Sequence, residues 1–205
     1  MPKGSPERTA ARKEEIINAC EMLYQTLSFK EITLKEIGKV TSFSRPTIYN
    51  YYQTKEEIFL ALYEREYIRW NEELEGIYHE NKTLSKEQLA NKLATSIANR
   101  TQLLKLLSMN NFDMEENSRE ELLISFKEAY GNSMKLFEKI IHKFCVEKSK
   151  KEIQDFIYIF FPFMFGIYPY TAVTDKQKTA MEQADIDYRY QTIFEITNAC
   201  LLKCL

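Results

Sequence analysis

The stretch TLKEIGKVTSFSRPTIYNYYQTKEEIF, residues 33–59, decides the fold, because it holds two short helical patterns on either side of one turn. Before the turn, Leu34 and Ile37 are spaced to share one side of a helix, and after it Ile48 and Tyr52 are spaced in the same way. Two helices of about two turns each, joined by about three residues, have the dimensions of a helix-turn-helix.

A proline, Pro46, lies inside the second of these patterns. Proline lacks a backbone N–H and damages a helix interior, but it is tolerated in the first turn. With Ser44 as the N-cap residue, Pro46 occupies the second helical position. Gly38 lies where the two helices would cross, and its missing side chain permits their close approach. We therefore predict helices near 33–40 and 44–51.

The side of the second helix opposite Ile48 carries side chains suited to a DNA groove. Asparagine can pair with adenine, arginine with guanine, and threonine or proline can contact a thymine methyl group. Tyrosine and asparagine can also bind phosphate, and a lysine at the start of the next helix adds an anion-binding position. Short helix pairs occur in many folds, so the spacing alone leaves a purely structural role open. The candidate DNA contacts are Thr33, Ser44, Arg45, Pro46, Thr47, Tyr49, Asn50 and Lys55.

The run from Ile16 through Leu60, and above all TIYNYYQTKEEIF, resembles the N-terminal domain of the TetR family of bacterial transcriptional regulators. The resemblance implies a homodimer that binds a palindromic operator in double-stranded DNA, usually as a repressor that a small molecule releases. It also implies DNA contacts by Arg45, Thr47, Tyr49, Asn50 and Lys55.

One dipeptide departs from the pattern of the family. Ser42-Phe43 stands where the family usually has Gly-Val. A left-handed backbone at Ser42 would cost about 1 kcal/mol more than at glycine, because the side chain crowds the following carbonyl oxygen. We therefore expect a difference in the shape of the turn and in base preference, with the bulkier Phe43 filling space, but no change of fold.

The composition favours an all-α fold. Five glycines and five prolines in 205 residues are few for a turn-rich β protein. Ser or Thr followed three residues later by Glu or Gln, the pattern of a capping box, occurs at Thr33, Thr54, Ser85, Ser118 and Ser149. Besides the pair above, we predict helices near 6–27, 54–78, 85–108, 118–146, 150–171 and 185–204, with a loop at 110–118.

Two domains follow from this organisation. We predict that residues 1–55 form a three-helix DNA-binding domain with the helix-turn-helix, and that residues 56–205 form a helical effector-binding and dimerisation domain. Residues 1–55 carry nine basic side chains, among them Lys3, against six acidic ones, although the whole chain has a net charge of −2. A mildly basic head on an acidic body suits a protein whose head alone meets a polyanion.

The cysteines and the N-terminus bear on cofactors and compartment. Cys20, Cys145, Cys200 and Cys204 form no CxxC pair, and with only two histidines in the chain they make no metal set by spacing. The first residues, MPKGSPERTAARKEE, are polar and lack the apolar core of a signal segment. We expect no metal, no cofactor and a reduced, cytoplasmic compartment.

The aromatic run FIYIFFPFMFGIYPY, residues 156–170, is too short and too interrupted by proline for a comfortable membrane span. A core helix is the first interpretation, with a kink at Pro162 that frees a carbonyl near Tyr158. Apolar residues on nearly all sides must be covered on all sides, which predicts a homodimer through this helix and the last one. The candidate interface residues are Phe161, Phe165, Ile193, Phe194, Thr197 and Leu201.

The resemblance also implies a pocket for an effector between the long fourth helix and the helices after it. An apolar or aromatic small molecule would suit a lining of aromatic and sulfur side chains. Ordinary core packing is the alternative for each of these residues. The candidates are Tyr67, Trp70, Phe126, Tyr130, Met134, Phe160, Phe163 and Met164.

Two other classes of function make different demands on the sequence. An enzyme would need a nucleophile with its base, a metal set or a phosphate loop, and the sequence has no GxSxG, no HExxH and no Gly-rich loop, so we expect no enzyme. A membrane-surface or lipid-binding protein that uses the aromatic helix is the remaining alternative to a regulator with no membrane partner. That alternative predicts vesicle binding without sequence-specific DNA binding.

Overall fold

The structure is a computed structural model, and it describes residues 5–109 and 111–205. Lys3 of the predicted basic head lies outside this part of the chain. Within it there are eleven α-helices and no strand. The helices are α1 Pro6–Thr26, α2 Leu34–Val40, α3 Arg45–Ile48, α4 Lys55–Glu80, α5 Lys86–Ala98, α6 Thr101–Leu107, α7 Asn111–Glu116, α8 Glu120–Phe144, α9 Lys150–Thr171, α10 Asp175–Gln183 and α11 Ile193–Cys204. The predicted all-α class is confirmed.

Most of the predicted capping residues begin helices. The side chain of Thr33 accepts from the N–H of Glu36 at the start of α2, and Ser85 and Ser149 form complete capping boxes at α5 and α9. The cap predicted at Ser118 was wrong, because its hydroxyl donates instead to the carbonyl of Met114 at 2.7 Å.

Four predicted boundaries were also wrong. The helix near 44–51 is only α3, and the helix near 85–108 is divided into α5 and α6 by a non-helical backbone at Arg100. The loop at 110–118 contains α7, and the helix near 185–204 is replaced by α10 and the shorter α11. Asp185, which follows α10, has a φ of 54°, a left-handed conformation that Asp and Asn tolerate better than most residues and that ends a helix.

The chain divides into two compact units. The first comprises the described residues of 1–65 and 110–128. Its interior is built from apolar side chains of α1, α2, α3 and the first turns of α4, and Tyr24 and Phe29 pack edge-on against Phe59 with ring centroids 5.1 and 4.8 Å apart. The fully buried side chains Ile16, Ile32, Ile37, Ile48 and Ile58 complete this core.

The second unit comprises residues 66–109 and 129–205. In it α5 packs on α11 and α6 packs on α9. Its core holds a cluster of rings in which Phe137 lies 5.6 Å from Trp70, 5.1 Å from Phe160 and 5.7 Å from Phe161 between ring centroids.

Helix α9 contains the aromatic run and continues through both Pro162 and Pro169. One side of it is buried, whereas Tyr158 is 72% exposed and Tyr170 is 62% exposed. No single helix in the described part of the chain has the length and apolar character to cross a membrane, although α9 and α10 together, bent by 85° where they meet, pass that test. The second unit therefore covers one side of this helix and leaves large apolar side chains exposed on the other, and their burial by a second copy stays a prediction.

Candidate nucleic-acid interface

Helices α2 and α3 approach each other at Gly38. A Cβ atom placed on Gly38 would lie 3.4 Å from the Cβ of Arg45, the first residue of α3. Leu34 and Ile37 of α2 are buried in the same unit, as is Ile48 of α3. The predicted crossing point of the helix-turn-helix is therefore confirmed.

The turn between the two helices is held by α1. Both the N–H and the hydroxyl of Ser42 donate to the carboxylate of Glu15. Phe43 is half-buried, with the guanidinium carbon of Arg12 5.7 Å from its ring centroid. In residues 5–109 and 111–205, Asp185 is the only non-glycine residue with a positive φ, so Ser42 does not adopt the left-handed backbone considered above. The turn therefore carries no strain of that kind.

Helix α3 begins abruptly at Arg45, with Ser44 as an extended N-cap residue and Pro46 in the first turn, as the sequence predicts. The side chain of Ser44 does not cap the helix, and its hydroxyl lies 3.5 Å from that of Thr47 instead. Beyond Ile48 the N–H of Tyr52 still donates to the carbonyl of Ile48 at 3.0 Å. The chain therefore stays coiled for a turn after the regular helix has ended.

The predicted DNA-contact side chains lie together on the solvent side of this segment. Ser44, Arg45, Pro46, Tyr49 and Asn50 are exposed, Thr47 is half-buried, and Thr33 is exposed at the start of α2. Arg45 Nη2 donates to the hydroxyl of Tyr49 at 2.8 Å, and the guanidinium lies 5.5 Å from the tyrosine ring centroid. The structure thus exposes a cation, an apolar proline ring and an amide, which are groups that can contact the edges of bases.

Lys55, like Thr33, is a predicted contact whose side chain already has a partner within the protein. Its ammonium donates to the carbonyl of Phe29 at 2.8 Å and lies 4.0 Å from the centroid of the phenylalanine ring. An ammonium group has three N–H donors, so two remain for a phosphate oxygen. Its contact with DNA stays a prediction.

Sequence reasoning missed Arg12, which supports the interface from α1. Arg12 Nη1 donates to the hydroxyl of Tyr51 at 3.3 Å, and its guanidinium stands over Phe43. The two partners are 39 and 31 positions away in the chain, so no local spacing could have indicated them.

A buried ion pair fixes the segment that follows α3. Glu57 is 1% exposed, and its carboxylate accepts from Arg119 Nε at 2.7 Å and from the N–H of Gln53 at 2.6 Å. Arg119 Nη2 also donates to the carbonyl of Tyr51 at 2.8 Å. Burial raises the pKa of Glu57, but the hydrogen bonds from Arg119 and Gln53 outweigh it and hold the pKa below its usual value. Residues 51–57 are therefore tied to the start of α8 inside the first unit.

The predicted effector residues are mostly packed against each other or against other rings. In the second unit Tyr67 lies 5.5 Å from Tyr130 and 6.3 Å from Trp70 between ring centroids, and Trp70 Nε1 donates to Ser96 Oγ at 3.2 Å. Phe160 and Met164 are buried, and Phe163 and Met134 are half-buried. Phe126 belongs to the first unit, where its ring lies 4.8 Å from that of Tyr63.

A groove of about 850 Å³ in the second unit is lined by none of these predicted effector residues. It is polar, with Arg69, Glu73 and Arg100 among its lining residues, and Arg100 is paired with Glu73. This polar groove between α4 and α5 was not predicted from the sequence, because its lining residues have the pattern of an ordinary solvent-exposed helix face.

The predicted dimer residues fall into two groups. Phe161, Thr197 and Leu201 are buried inside the second unit, so a second copy cannot contact them without rearrangement. Phe165 is 38% exposed, and Ile193 and Phe194 are half-buried. Only the second group has surface left for a partner.

The described residues give no sign of a metal site. No group of three or more His, Cys, Asp or Glu side chains in residues 5–109 and 111–205 is arranged to hold a metal ion. The four cysteines are free thiols, with Cys20 and Cys145 buried.

A helix-turn-helix with an exposed polar face on its second helix, followed by a larger helical unit, defines a DNA-binding regulator of the helix-turn-helix class. Residues 16–62 match the model for bacterial regulatory proteins of the tetR family, and residues 64–195 match that for the tetracyclin repressor-like C-terminal domain. The chain therefore belongs to the TetR family, as the resemblance in residues 16–60 predicts.

Solved structures show the same fold along nearly the whole chain. A TetR-family transcriptional regulator from Mesorhizobium loti superposes with a TM-score of 0.64 at 14% identity, over 97% of this chain and 96% of that one. The fatty acid degradation regulator FadR from Bacillus halodurans gives 0.59 at 14% identity, over 99% and 96%. FadR from Thermus thermophilus, a repressor solved with lauroyl-CoA, gives 0.56 at 20% identity, over 95% of each chain. A search of curated proteins found no match.

Proposed function

We propose that this protein is a cytoplasmic transcriptional repressor that binds a palindromic operator as a homodimer and is released by a small apolar or aromatic ligand. The observation that carries the proposal is the exposed face of α3, where Arg45 and Tyr49 lie together beside Pro46 and Asn50. The opposite side of α3 is anchored by the fully buried Ile48, so this face points to solvent. Residues 1–55 would bind DNA, and residues 56–205 would bind the effector and the second copy.

The exposed side of α9 supports the homodimer. The large side chains of Tyr158, Ile159 and Tyr170 are exposed to solvent, and Phe165 is partly exposed on the same helix. A second copy packed there, together with Ile193 and Phe194 of α11, would bury this surface. Two α3 helices about 34 Å apart would then read the two halves of a palindrome.

The aromatic cluster of the second unit supports an apolar effector. Tyr67, Trp70 and Phe160 are buried and leave no room for a ligand among them. An effector would therefore have to bind a conformation in which these rings have moved apart. Such a ligand weakens DNA binding only to the extent that it binds this conformation more tightly than the DNA-binding one. FadR of Bacillus subtilis was solved with stearoyl-CoA and that of Thermus thermophilus with lauroyl-CoA, which makes acyl-CoA esters of different chain length the first probes to test here.

Selection of bound sequences from a random duplex pool tests the proposal. A two-fold symmetric winner, bound with a steep dependence on salt, is the expected outcome. Arg45→Ala should then reduce discrimination at one base pair by about 1–3 kcal/mol, whereas Lys55→Ala should weaken all sequences alike. Arg189→Ala, which removes an exposed arginine of the second unit, serves as the matched control. No enrichment over random DNA would refute the proposal.

The exposed side of α9 also favours a second candidate, a membrane-surface or lipid-binding protein. Sedimentation of the full chain with and without phosphatidylglycerol vesicles separates the two. A dimer that stays free of vesicles supports the repressor, and a monomer that co-sediments with them supports the lipid-binding protein.

A further inference from the structure

A groove of about 370 Å³ in the second unit has no part in the function proposed above. It lies between Tyr78 near the end of α4, the last turns of α8, and the first turn of α9 up to Ile153. Its volume is within the range of small-molecule sites, about 300–1,000 Å³. The aromatic ring of Tyr78 and the buried Ile153 give it a partly apolar floor.

The charge of this groove is strongly one-sided. A single carboxylate, that of Glu138, lines it. Its other charged or titratable side chains, apart from the tyrosine, are Lys139, His142, Lys143, Lys148 and Lys150. Ammonium groups gathered in one concavity raise the local positive potential and draw in an anion. The polar groove beside α5 differs, because its arginines and lysine are matched by as many carboxylates.

Three of these lysines are uncommitted in the described part of the chain. Lys139, Lys148 and Lys150 have no ion-pair or hydrogen-bond partner for their ammonium groups among residues 5–109 and 111–205. Lys151, the neighbour of Lys150, is paired with Asp155 at 2.5 Å. The lysines of the groove are therefore available to a ligand, and Lys151 is not.

A fourth lysine is already held in place. Lys143 Nζ donates to the carbonyls of Tyr78 at 2.5 Å and Asn81 at 2.8 Å, and lies 4.6 Å from the centroid of the Tyr78 ring. Two of its three N–H donors are used in this way, which leaves one for a ligand. An ammonium fixed before binding loses little conformational freedom when an anion arrives.

We propose that this groove binds a small phosphate-bearing molecule. A phosphate group accepts several charge-assisted hydrogen bonds at once, which suits a groove lined by three free ammonium groups and one that is fixed. The open side of the groove leaves room for the remainder of the molecule. The site depends on neither DNA binding nor the aromatic cluster, so its test can fail or succeed independently of the proposed repressor.

Calorimetric titration of the full chain with pyrophosphate at low salt tests the site. Lys139→Gln and Lys150→Gln should each weaken binding about tenfold, because each removes one charge-assisted hydrogen bond. Lys151→Gln is the matched control, since it removes the same charge one position from Lys150 but outside the groove, and binding should change less than about twofold.

Histidine NMR locates the bound anion. The chain has two histidines, of which His142 lines the groove; His79 lies outside it, with its ring 5.0 Å from that of the lining Tyr78. Pyrophosphate should move the ring C–H signals of His142 in proportion to the calorimetric saturation and move those of His79 much less. His142→Gln assigns the signals.

Equal weakening by Lys151→Gln and Lys150→Gln would overturn the proposal, because it would show a diffuse effect of surface charge. So would equal shifts of the two histidines, or no binding of pyrophosphate at all. A second arm uses vesicles that contain phosphatidic acid and a short DNA duplex. If either one moves the His142 signals while pyrophosphate does not, the ligand is a membrane or a nucleic acid and the small-molecule site is refuted.

Discussion

Replacing Arg119 with Met should lower the free energy of unfolding by about 3 kcal/mol at pH 7. The carboxylate of Glu57 accepts from Arg119 Nε at 2.7 Å, from Arg119 Nη2 at 3.1 Å, and from the N–H groups of Arg119 at 3.2 Å and Gln53 at 2.6 Å. The substitution removes the two guanidinium bonds and leaves the two backbone bonds. Removing one partner of a buried ion pair costs about 3–5 kcal/mol, because it leaves a buried charge uncompensated.

Protonation of Glu57 sets an upper limit on the cost of that charge. Holding a carboxyl whose ordinary pKa is 4.5 in its protonated form at pH 7 costs about 3.4 kcal/mol, at about 1.36 kcal/mol for each pH unit. The protonated acid then needs no positive partner. The expected loss therefore lies near the lower end of the range for a broken buried pair.

The dependence on pH reverses between the two proteins. In the wild type the pKa of Glu57 is lowered on folding, so its contribution is complete above pH 4.5 and is lost as the pH falls through the folded value. In Arg119→Met only the two backbone hydrogen bonds still oppose the effect of burial, so we expect the folded pKa of Glu57 to lie above its usual value and stability to fall as the pH rises above 4.5. The difference between the two proteins should shrink as the pH falls from 7 to 5, by at most about 1.4 kcal/mol for each pH unit.

Urea unfolding followed by circular dichroism at pH 5, 6 and 7 measures this difference. Lys127→Met is the matched control, because it breaks an exposed ion pair with Glu115 in the same unit and should cost at most about 1 kcal/mol. An Arg119→Met protein within about 0.5 kcal/mol of the wild type at pH 7, or one whose deficit is the same at pH 5, would refute the reasoning.

Three further predictions concern single sites. Gly38→Ala should raise the free energy of unfolding in urea by up to about 1 kcal/mol, because the added Cβ would lie an ordinary 3.4 Å from Arg45. Gly38→Leu should instead lower it by about 1–3 kcal/mol, and a loss with alanine would mean that the helices are closer than described. Thr197→Val should stabilise the protein by about 1 kcal/mol, because the buried hydroxyl has no partner among the described residues, and destabilisation would reveal one. Burial raises the pKa of the Cys20 thiol, and burial together with the nearby Cys204 raises the pKa of Cys200 to about 11. Iodoacetamide at pH 8, followed by mass spectrometry, should therefore modify Cys200 slowly and Cys20 only when the protein unfolds. Rapid labelling of Cys20 would indicate local opening.

The helix-turn-helix could be predicted because its signals are local. Thr33 caps α2, Gly38 permits the crossing and Pro46 sits in the first turn of α3, and each of these constraints acts within a few residues. The contacts that hold the interface in place are not local. Arg12 reaches Tyr51, and Glu57 reaches Arg119 across 62 positions, so no spacing in the sequence brings them together.

The second unit was predicted less well, for physical reasons. A run of aromatic residues meets the same demand for burial whether the rings pack against each other, against a ligand or against a second copy. The rings of Trp70 and Phe161 pack against each other, and only the folded structure shows this. The end of α10 was also hidden, since it depends on the left-handed backbone of Asp185 and not on a glycine or a proline.

The bond between Glu15 and the turn has a consequence for how the protein tolerates mutation. The N–H of residue 42 belongs to the backbone, so every amino acid except proline at that position would keep one hydrogen bond to the carboxylate. Glu15 has no such redundancy, because both bonds to Ser42 end on its side chain. In a library that randomises both positions, variation at 42 should therefore be widely accepted, and the informative losses should concentrate at 15, in a helix that carries none of the proposed base contacts.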